Sequence, residues 1–462
     1  MMRTLPLCAV LLVLTPVVRS ADKPAPTETV IRMKVRPAAA PIPALKYQLL
    51  PELTQMNPGN PILAYTKCFA EQQNFWHTKE IREKREKWQT MPLQELPLEE
   101  IKRTGHYRGN PLRYADYAAR LDTPDWQLLL QIKSEGANLL LPDLQGLREL
   151  AGALKVRFRA QVAERRFDDA LVTVQTLLAL SRHLGEHPTV IGNLVGLAVA
   201  GLTLGPLDEM IQQPGCPNLF WALTNLPHPF IDLRKGFQGE RVFLTKEFAA
   251  LDTRAPMTDT QVDKAVDRLQ ELMKIINVNK NVSDWLSASA IDKERVRAAR
   301  TRLIESGLAE NKVKQFTAPQ VILLDEKLEF EVRRDEVRKV MMLSFWQAEP
   351  LLRAARQQRG KREDSLFAGL IAGDKVKLAQ TRVEQRLGLL RCVEALRLHA
   401  AENDGKLPAK LEDIKLPLPV DPVTGKPFVY KLDGGTAILR GTPPPGVNDP
   451  AYNVRYEVTI AK

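Results

Sequence analysis

One stretch without charged residues limits the folds open to this chain. It runs from Thr189 to Leu207, TVIGNLVGLAVAGLTLGPL, and contains no Asp, Glu, Lys or Arg in 19 residues. A helix of this kind is either buried on all sides or spans a membrane. It carries two pairs of glycines at a spacing of four, Gly192/Gly196 and Gly201/Gly205. Such pairs permit close helix packing in either setting. We expect a buried central helix, because the glycines, an asparagine and a proline lower its hydrophobicity, and the membrane-spanning alternative stays open.

The residues before this stretch predict paired helices. In RFRAQVAERRFDDALVTVQTLLALSRHL a short turn around Arg166–Asp168 precedes apolar residues at helical spacing. The FDDAL segment resembles the start of the second helix of a tetratricopeptide-type hairpin, but no 34-residue period is repeated along the chain. We therefore predict that residues 61–375 form a domain of stacked antiparallel helices in an irregular, helical-repeat-like bundle.

The N-terminus has the pattern of an exported protein. Arg3 precedes an apolar run from Leu5 to Val18, and small or medium residues follow before Ala21. This pattern predicts a secretory signal peptide over residues 1–20, cleaved between Ser20 and Ala21. The run is too short to span a bilayer. We expect a periplasmic or extracellular protein, with association to the cell envelope as an alternative.

A proline-rich segment, residues 21–60, follows the signal peptide. Its prolines exclude continuous helix. The segment TVIRMKVR alternates, with Ile31, Met33 and Val35 on one side and basic residues on the other, which predicts a short strand near residues 29–36. LKYQLLPE suggests a second strand. Since a lone strand is unstable, we predict that the strand near 29–36 pairs with strands at the C-terminus.

The last part of the chain, residues 376–462, predicts a small α+β module. Residues 376–402 form one amphipathic helix, which ends at Asn403-Asp404-Gly405. In DPVTGKPFVYKLDGG, Asp421 and Pro422 start a turn, with the carboxylate accepting nearby backbone N–H groups. Strand-forming residues and a hairpin signal follow, and residues 454–460 alternate again. About three antiparallel strands are predicted.

Residues 380–440 resemble the C-terminal region of type II secretion pseudopilins. In that family a G-x-x-P after a long helix is followed by a D-P-W-G-x-P-Y-x-Y turn and strand. The matching positions are Gly405, Pro408, Asp421, Pro422, Gly425, Pro427, Phe428 and Tyr430. The resemblance implies a fold for this module. It does not imply filament formation, because the predicted signal is of the Sec type and more than 350 residues precede this long helix.

Over its length the chain is also similar to a group of large, uncharacterised exported bacterial proteins. The segments that carry this similarity are LKYQLLPE, PGNPILAY, ALVTVQTLLALSRHL and DPVTGKPFVY. The group provides no activity, cofactor or site that could be assigned to residues of this chain.

Few residues have the spacing of a catalytic or metal site. His183 and His187 are four apart, but the segment HLGEHP ends a helix, so we expect both to interact with C-terminal carbonyl groups. Nucleophile-elbow, phosphate-loop and dinucleotide-binding motifs are absent. Asp421 and Asp433 are the candidates for calcium, with a plain turn role favoured. We predict no catalytic, cofactor-binding or metal-binding residues.

The distribution of charge limits the kinds of partner. The full chain has a net charge of +11, but its basic residues alternate with acidic ones, as in KEIREKREKW. This pattern indicates a mixed solvated surface and no nucleic-acid partner. We expect a non-catalytic scaffold or protein-interaction protein with one or more protein partners. The alternatives are an envelope component anchored through Thr189–Leu207 and an enzyme with a dispersed, metal-assisted site.

Overall fold

The computed structural model describes residues 28–70, 76, 78–251, 254–359, 365–367, 370 and 373–461. The predicted signal peptide and its cleavage position, Ser20/Ala21, lie outside these residues. Within them, seventeen α-helices pack together and one small sheet lies at the C-terminus. The prediction of a mainly α fold with a C-terminal α+β module is therefore confirmed.

The helices are numbered in chain order. Those of the first part are α1 (Pro61–Ala70), α2 (Lys79–Trp88), α3 (Leu98–Arg103), α4 (Asn110–Ala118), α5 (Leu129–Glu135), α6 (Pro142–Ala163), α7 (Phe167–Gly185) and α8 (Val190–Ile211). Those of the second part are α9 (Phe220–Thr224), α10 (Arg234–Glu247), α11 (Asp259–Ile275), α12 (Val282–Ile291), α13 (Lys293–Glu305), α14 (Glu310–Val313), α15 (Ala318–Arg338), α16 (Phe345–Arg359) and α17 (Gly373–Glu402). The strands are β1 (Thr29–Val35), β2 (Val429–Asp433), β3 (Thr436–Arg440) and β4 (Val454–Ile460).

The sheet contains the N-terminal strand, as predicted. Its order is β1-β4-β3-β2, with β2, β3 and β4 antiparallel and β1 parallel to β4. Met33 lies opposite Val458, and both side chains are buried, whereas Arg32 and Lys34 are exposed. The strand expected in LKYQLLPE is wrong. That segment forms bends and turns, because prolines border it and no neighbouring strand is available to pair with it.

Helices α6, α7 and α8 form the centre of the bundle. α6 and α7 are joined by residues 164–166, two residues earlier than predicted, so they are antiparallel neighbours. α8 packs against both. A Cβ atom at Gly196 would lie 2.7 Å from the carbonyl oxygen of Ser181, so this glycine permits the close approach of α7 and α8. Gly201 and Gly205 have no neighbour within 4 Å of such an atom, and at Gly192 the atom would meet the His187 ring, so of these four glycines Gly196 alone faces the backbone of a neighbouring helix.

The uncharged segment forms α8 and lies mostly inside the protein. Within the described residues, α8 is the helix long and apolar enough to cross a membrane, with a mean hydropathy of 1.8 in its 18-residue window. However, 72% of that window is buried within the protein. α10 and α17 cover it in addition to α6 and α7. This packing agrees with the buried-helix interpretation.

Two buried ionic groups connect α17 to the rest of the chain. At the end of α8, the Asp208 carboxylate accepts hydrogen bonds from Arg386 of α17 at 2.8 Å and from the Tyr456 hydroxyl of β4 at 2.9 Å. Burial raises the pKa of Asp208 to about 6, against the opposing effect of Arg386. This carboxylate therefore connects α8, α17 and the sheet.

The second ionic group lies about three turns further along α17. Arg397 pairs with Glu394 at 2.8 Å, and both side chains are fully buried. The same guanidinium donates to the carbonyl oxygens of Arg36 at 3.0 Å and Cys216 at 2.8 Å. Because these carbonyls lie after β1 and after α8, the arginine holds two distant segments against α17.

The cysteines of the described residues, Cys68, Cys216 and Cys392, are buried free thiols. Burial raises the pKa of each to about 12. They therefore stay protonated at neutral pH and pack as small apolar side chains.

Candidate functional site

Asp421 is the central acceptor of the predicted turn. Its side chain is buried, and one carboxylate oxygen accepts from the Val423 backbone N–H at 3.0 Å and the Gln385 amide at 3.0 Å. The other accepts from the Thr442 backbone N–H at 2.7 Å. The carboxylate thus bonds its own turn, α17 and the segment after β3. These three hydrogen bonds give Asp421 the turn role that the sequence favoured.

The turn also supports an exposed tryptophan. The Trp346 backbone N–H, in the first turn of α16, donates to the carbonyl oxygen of Pro422 at 3.3 Å. Gly425 has a φ of +69°, and a Cβ atom there would lie 2.8 Å from the Trp346 indole ring. Glycine is therefore required by both the backbone conformation and the space that the indole occupies.

Gly405 and Pro408 mark the end of α17. Gly405 has a φ of +76°, and its N–H donates to the Ala400 carbonyl oxygen at 2.8 Å, which terminates the helix. The carbonyl oxygen of Pro408 accepts a hydrogen bond from the Tyr430 hydroxyl at 2.6 Å. This bond connects the segment after the helix to β2.

Pro427 and Phe428 complete the motif. Pro427 forms an isolated antiparallel bridge with Val420 and closes the turn. The Phe428 side chain is buried against α17, where a Cβ atom at Gly388 would lie 2.9 Å from its ring. All eight residues matched to the pseudopilin motif therefore lie in one module that packs on α17.

The two histidines lie at the end of α7, as predicted, but the predicted interaction of their rings with C-terminal carbonyl groups is wrong. His183 contacts the Tyr65 hydroxyl through Nδ1 at 3.1 Å, and Nδ1 of His187 accepts from the backbone N–H of Thr189 at 3.2 Å. The His187 ring packs edge-on against Trp126. Burial lowers the pKa of His183 to about 4 and that of His187 to about 3. Both rings are therefore neutral, which removes the charge that would favour helix C-terminal carbonyls.

Among the described residues, no three His, Cys, Asp or Glu side chains are grouped so that they could hold a metal ion.

A cavity of about 250 Å³ lies where the C-terminal turn meets the helical part. Residues 341–346, which lead into α16, surround it together with the turn 419–422 and residues 228–229. One wall is a single face of α17, formed by residues at spacings of three, four, seven and eleven: Lys377, Gln380, Thr381, Glu384 and Gly388. These spacings place side chains on one side of a helix. The cavity therefore combines polar groups on α17 with an apolar opposite side.

Lys377 is a buried cation in this wall. Its side chain is 5% exposed, and its ammonium group donates to the Met341 carbonyl oxygen at 3.0 Å and to the Gln380 amide oxygen at 2.8 Å. Both acceptors are neutral. Burial lowers the pKa of Lys377 to about 8, while Glu384 acts in the opposite direction. At neutral pH the group is still largely protonated, and an ammonium has three donors, so one remains for a ligand.

Glu384 lies two turns further along the same face. One of its oxygens accepts from the Phe230 backbone N–H at 2.7 Å, and the other lies 2.6 Å from Nδ1 of His228. The hydrogen bond to Glu384 raises the pKa of His228 above its ordinary value. Both oxygens of Glu384 thus have a partner, whereas Lys377 has no charged group within hydrogen-bond distance among the described residues.

Exposed apolar side chains form the rim of the cavity. Four of its lining residues are more than one third exposed: Met342 at 42%, Leu343 at 37%, Trp346 at 45% and Val420 at 52%. Single exposed apolar residues are ordinary, but a group of them around a concave site marks a binding surface.

Sequence reasoning did not identify this cavity. It placed Leu387, Leu390 and neighbouring residues on the apolar side of α17 and made no assignment for the polar face. The segment MMLSFW, residues 341–346, was the available signal, because it places five large apolar residues directly after a charged helix. That signal alone does not reveal that the turn at 419–422 lies opposite it.

Comparisons of the chain with protein-family models, curated proteins and solved structures find no match. The similarity of residues 380–440 to pseudopilins therefore stays a proposal that depends on the matched motif.

Proposed function

We propose that this chain is an exported, non-catalytic protein-interaction protein whose partner docks on the cavity between α17 and the C-terminal turn. The observation that carries the proposal is the group of exposed apolar side chains around the cavity, above all Trp346. Tryptophan is enriched among the residues that dominate binding energy at protein interfaces.

The support beneath Trp346 strengthens this proposal. Its backbone is hydrogen-bonded to Pro422, and its indole lies over Gly425. The turn is itself fixed by the buried carboxylate of Asp421. A side chain held in place before binding loses less conformational entropy when the partner docks.

In this proposal the pseudopilin-like module provides an interaction surface and not a filament subunit. The signal peptide at residues 1–20 would deliver the protein to the periplasm or the extracellular space. N-terminal sequencing of the protein from native cells tests this part, with Ala21 as the expected first residue.

Photo-crosslinking in native cells tests the docking surface. Leu343 is replaced by p-benzoyl-phenylalanine, and Ile291, which is 77% exposed at the end of α12, is replaced in the same way as a matched control. We expect a discrete crosslinked protein from position 343 only, and its loss when Trp346→Ala is added. The same products from both positions, or products unaffected by Trp346→Ala, would contradict the proposal.

One alternative rests on α8, whose apolar window is long enough to cross a bilayer. An envelope component anchored through Thr189–Leu207 would resist extraction by sodium carbonate, whereas the proposed exported protein would be released. The other alternative, a metal-assisted enzyme, predicts stoichiometric metal in the purified native protein.

A further inference from the structure

We propose that the cavity binds the free C-terminus of a partner protein, with Lys377 pairing with the terminal carboxylate and the apolar rim holding the last side chains. This inference rests on the proposed function, and it assigns the chemical nature of the segment that docks.

The first argument is the missing counter-charge of Lys377. Among the described residues, its ammonium group has only neutral acceptors within hydrogen-bond distance. A buried charge is costly unless it is paired. The cavity next to it is open to a ligand, and a carboxylate there would supply both the counter-charge and the acceptor for the remaining donor.

The second argument is the shape of the site. Lys377 is 5% exposed and forms part of the inner wall, whereas Trp346, Leu343 and Val420 lie at the rim. A chain end can enter such a cavity with its carboxylate leading. An internal acidic side chain would have to bring two continuing backbone segments past the rim, so the geometry favours a terminus.

The third argument is the spacing of the two charged groups on α17. Lys377 and Glu384 are seven residues apart, which is about 10 Å along a helix. About three residues of an extended peptide cover the same distance. A peptide whose carboxylate meets Lys377 would therefore bring a backbone N–H near Glu384, whose carboxylate can accept further hydrogen bonds. A protonated His228, whose Nδ1 lies 2.6 Å from this glutamate, would offset part of the repulsion between the glutamate and the incoming carboxylate.

A matched pair of probes tests the inference. Two fluorescent hexapeptides that end in Val-Leu, one with a free C-terminal carboxylate and one amidated, are titrated with the mature protein at pH 7 and followed by anisotropy. We expect the acid to bind at least tenfold more tightly than the amide. In Lys377→Met this difference should fall to within twofold, while Trp346→Ala should weaken both peptides.

The comparison of acid and amide binding by the wild-type protein tests the inference even if Lys377→Met fails to fold. Equal binding of acid and amide, or no binding of either, would overturn the inference. If crosslinking from position 343 still identifies a partner in those cases, the proposed function stands and only the assignment of a C-terminus fails. If the peptides discriminate but no crosslink forms in cells, the site binds carboxylates and the proposed function is contradicted.

Discussion

Replacing Asp421 by alanine measures how strongly the C-terminal turn is held. The carboxylate is buried and accepts from the backbone N–H groups of Val423 and Thr442 as well as from the Gln385 amide. Gln385 keeps a second acceptor, the Thr442 carbonyl oxygen, at 2.9 Å. Two backbone donors would lose their partner: the buried Val423 N–H, at a cost of about 1–3 kcal/mol, and the Thr442 N–H, which is only partly buried and therefore costs less. We therefore expect a loss of roughly 1–4 kcal/mol in the free energy of unfolding.

Urea unfolding measures this loss, and hydrogen exchange over residues 419–442 localises it, because a chain of this length can unfold in more than one step. Asp433→Ala is the matched control. Asp433 pairs with Lys431 on the surface at 3.0 Å, and such pairs contribute about 0–1 kcal/mol. If Asp421→Ala costs no more than this control and amide protection at 419–442 is unchanged, the buried acceptor is not what holds the turn.

Two further predictions concern the histidine and glycine positions. Burial lowers the folded-state pKa of His187 to about 3, so the stability that its neutral ring contributes is complete above pH 6.5 and is lost as the pH falls. His187→Asn keeps an acceptor for Thr189. It should reduce the pH dependence of the unfolding free energy between pH 6 and 4.5 by about 1.4 kcal/mol per pH unit. If urea titrations show an unchanged slope, the conclusion that the folded protein holds His187 neutral is contradicted. Gly425→Ala and Gly434→Ala both place alanine at positive φ, at a cost of about 1–2 kcal/mol, but only Gly425→Ala also displaces Trp346. A shift in tryptophan emission is expected for Gly425→Ala alone, and identical emission and stability of the two variants would show that the indole does not lie over the turn.

The sheet shows which parts of the fold are readable from sequence. Alternation at residues 29–36 and 454–460 identifies the buried side of each strand, because side chains point to opposite faces at every step. Both strands are confirmed, as is their pairing. The parallel direction of β1 and β4 was not predictable, since alternation is the same in parallel and antiparallel strands.

The turn shows where local reasoning ends. The bond from the Val423 N–H to Asp421 spans two residues and follows from turn chemistry. The bonds from Gln385 and Thr442 span 36 and 21 residues, and only the folded chain brings these donors together. The histidine prediction failed for the same reason, because the burial of His187 depends on Trp126, which lies far from it in sequence.

The candidate site arises from the same long-range packing. α17 is covered on most sides by α8, α9, α16 and β4, so its buried polar residues must find partners within the protein. In this way Arg386 pairs with Asp208 and Arg397 pairs with Glu394. The Gln385 amide donates a hydrogen bond to Asp421. Lys377 faces the cavity instead, and its remaining donor has no carboxylate within reach in the described residues. The helix that joins the two parts of the protein therefore also carries a buried cation that lines the cavity at their junction.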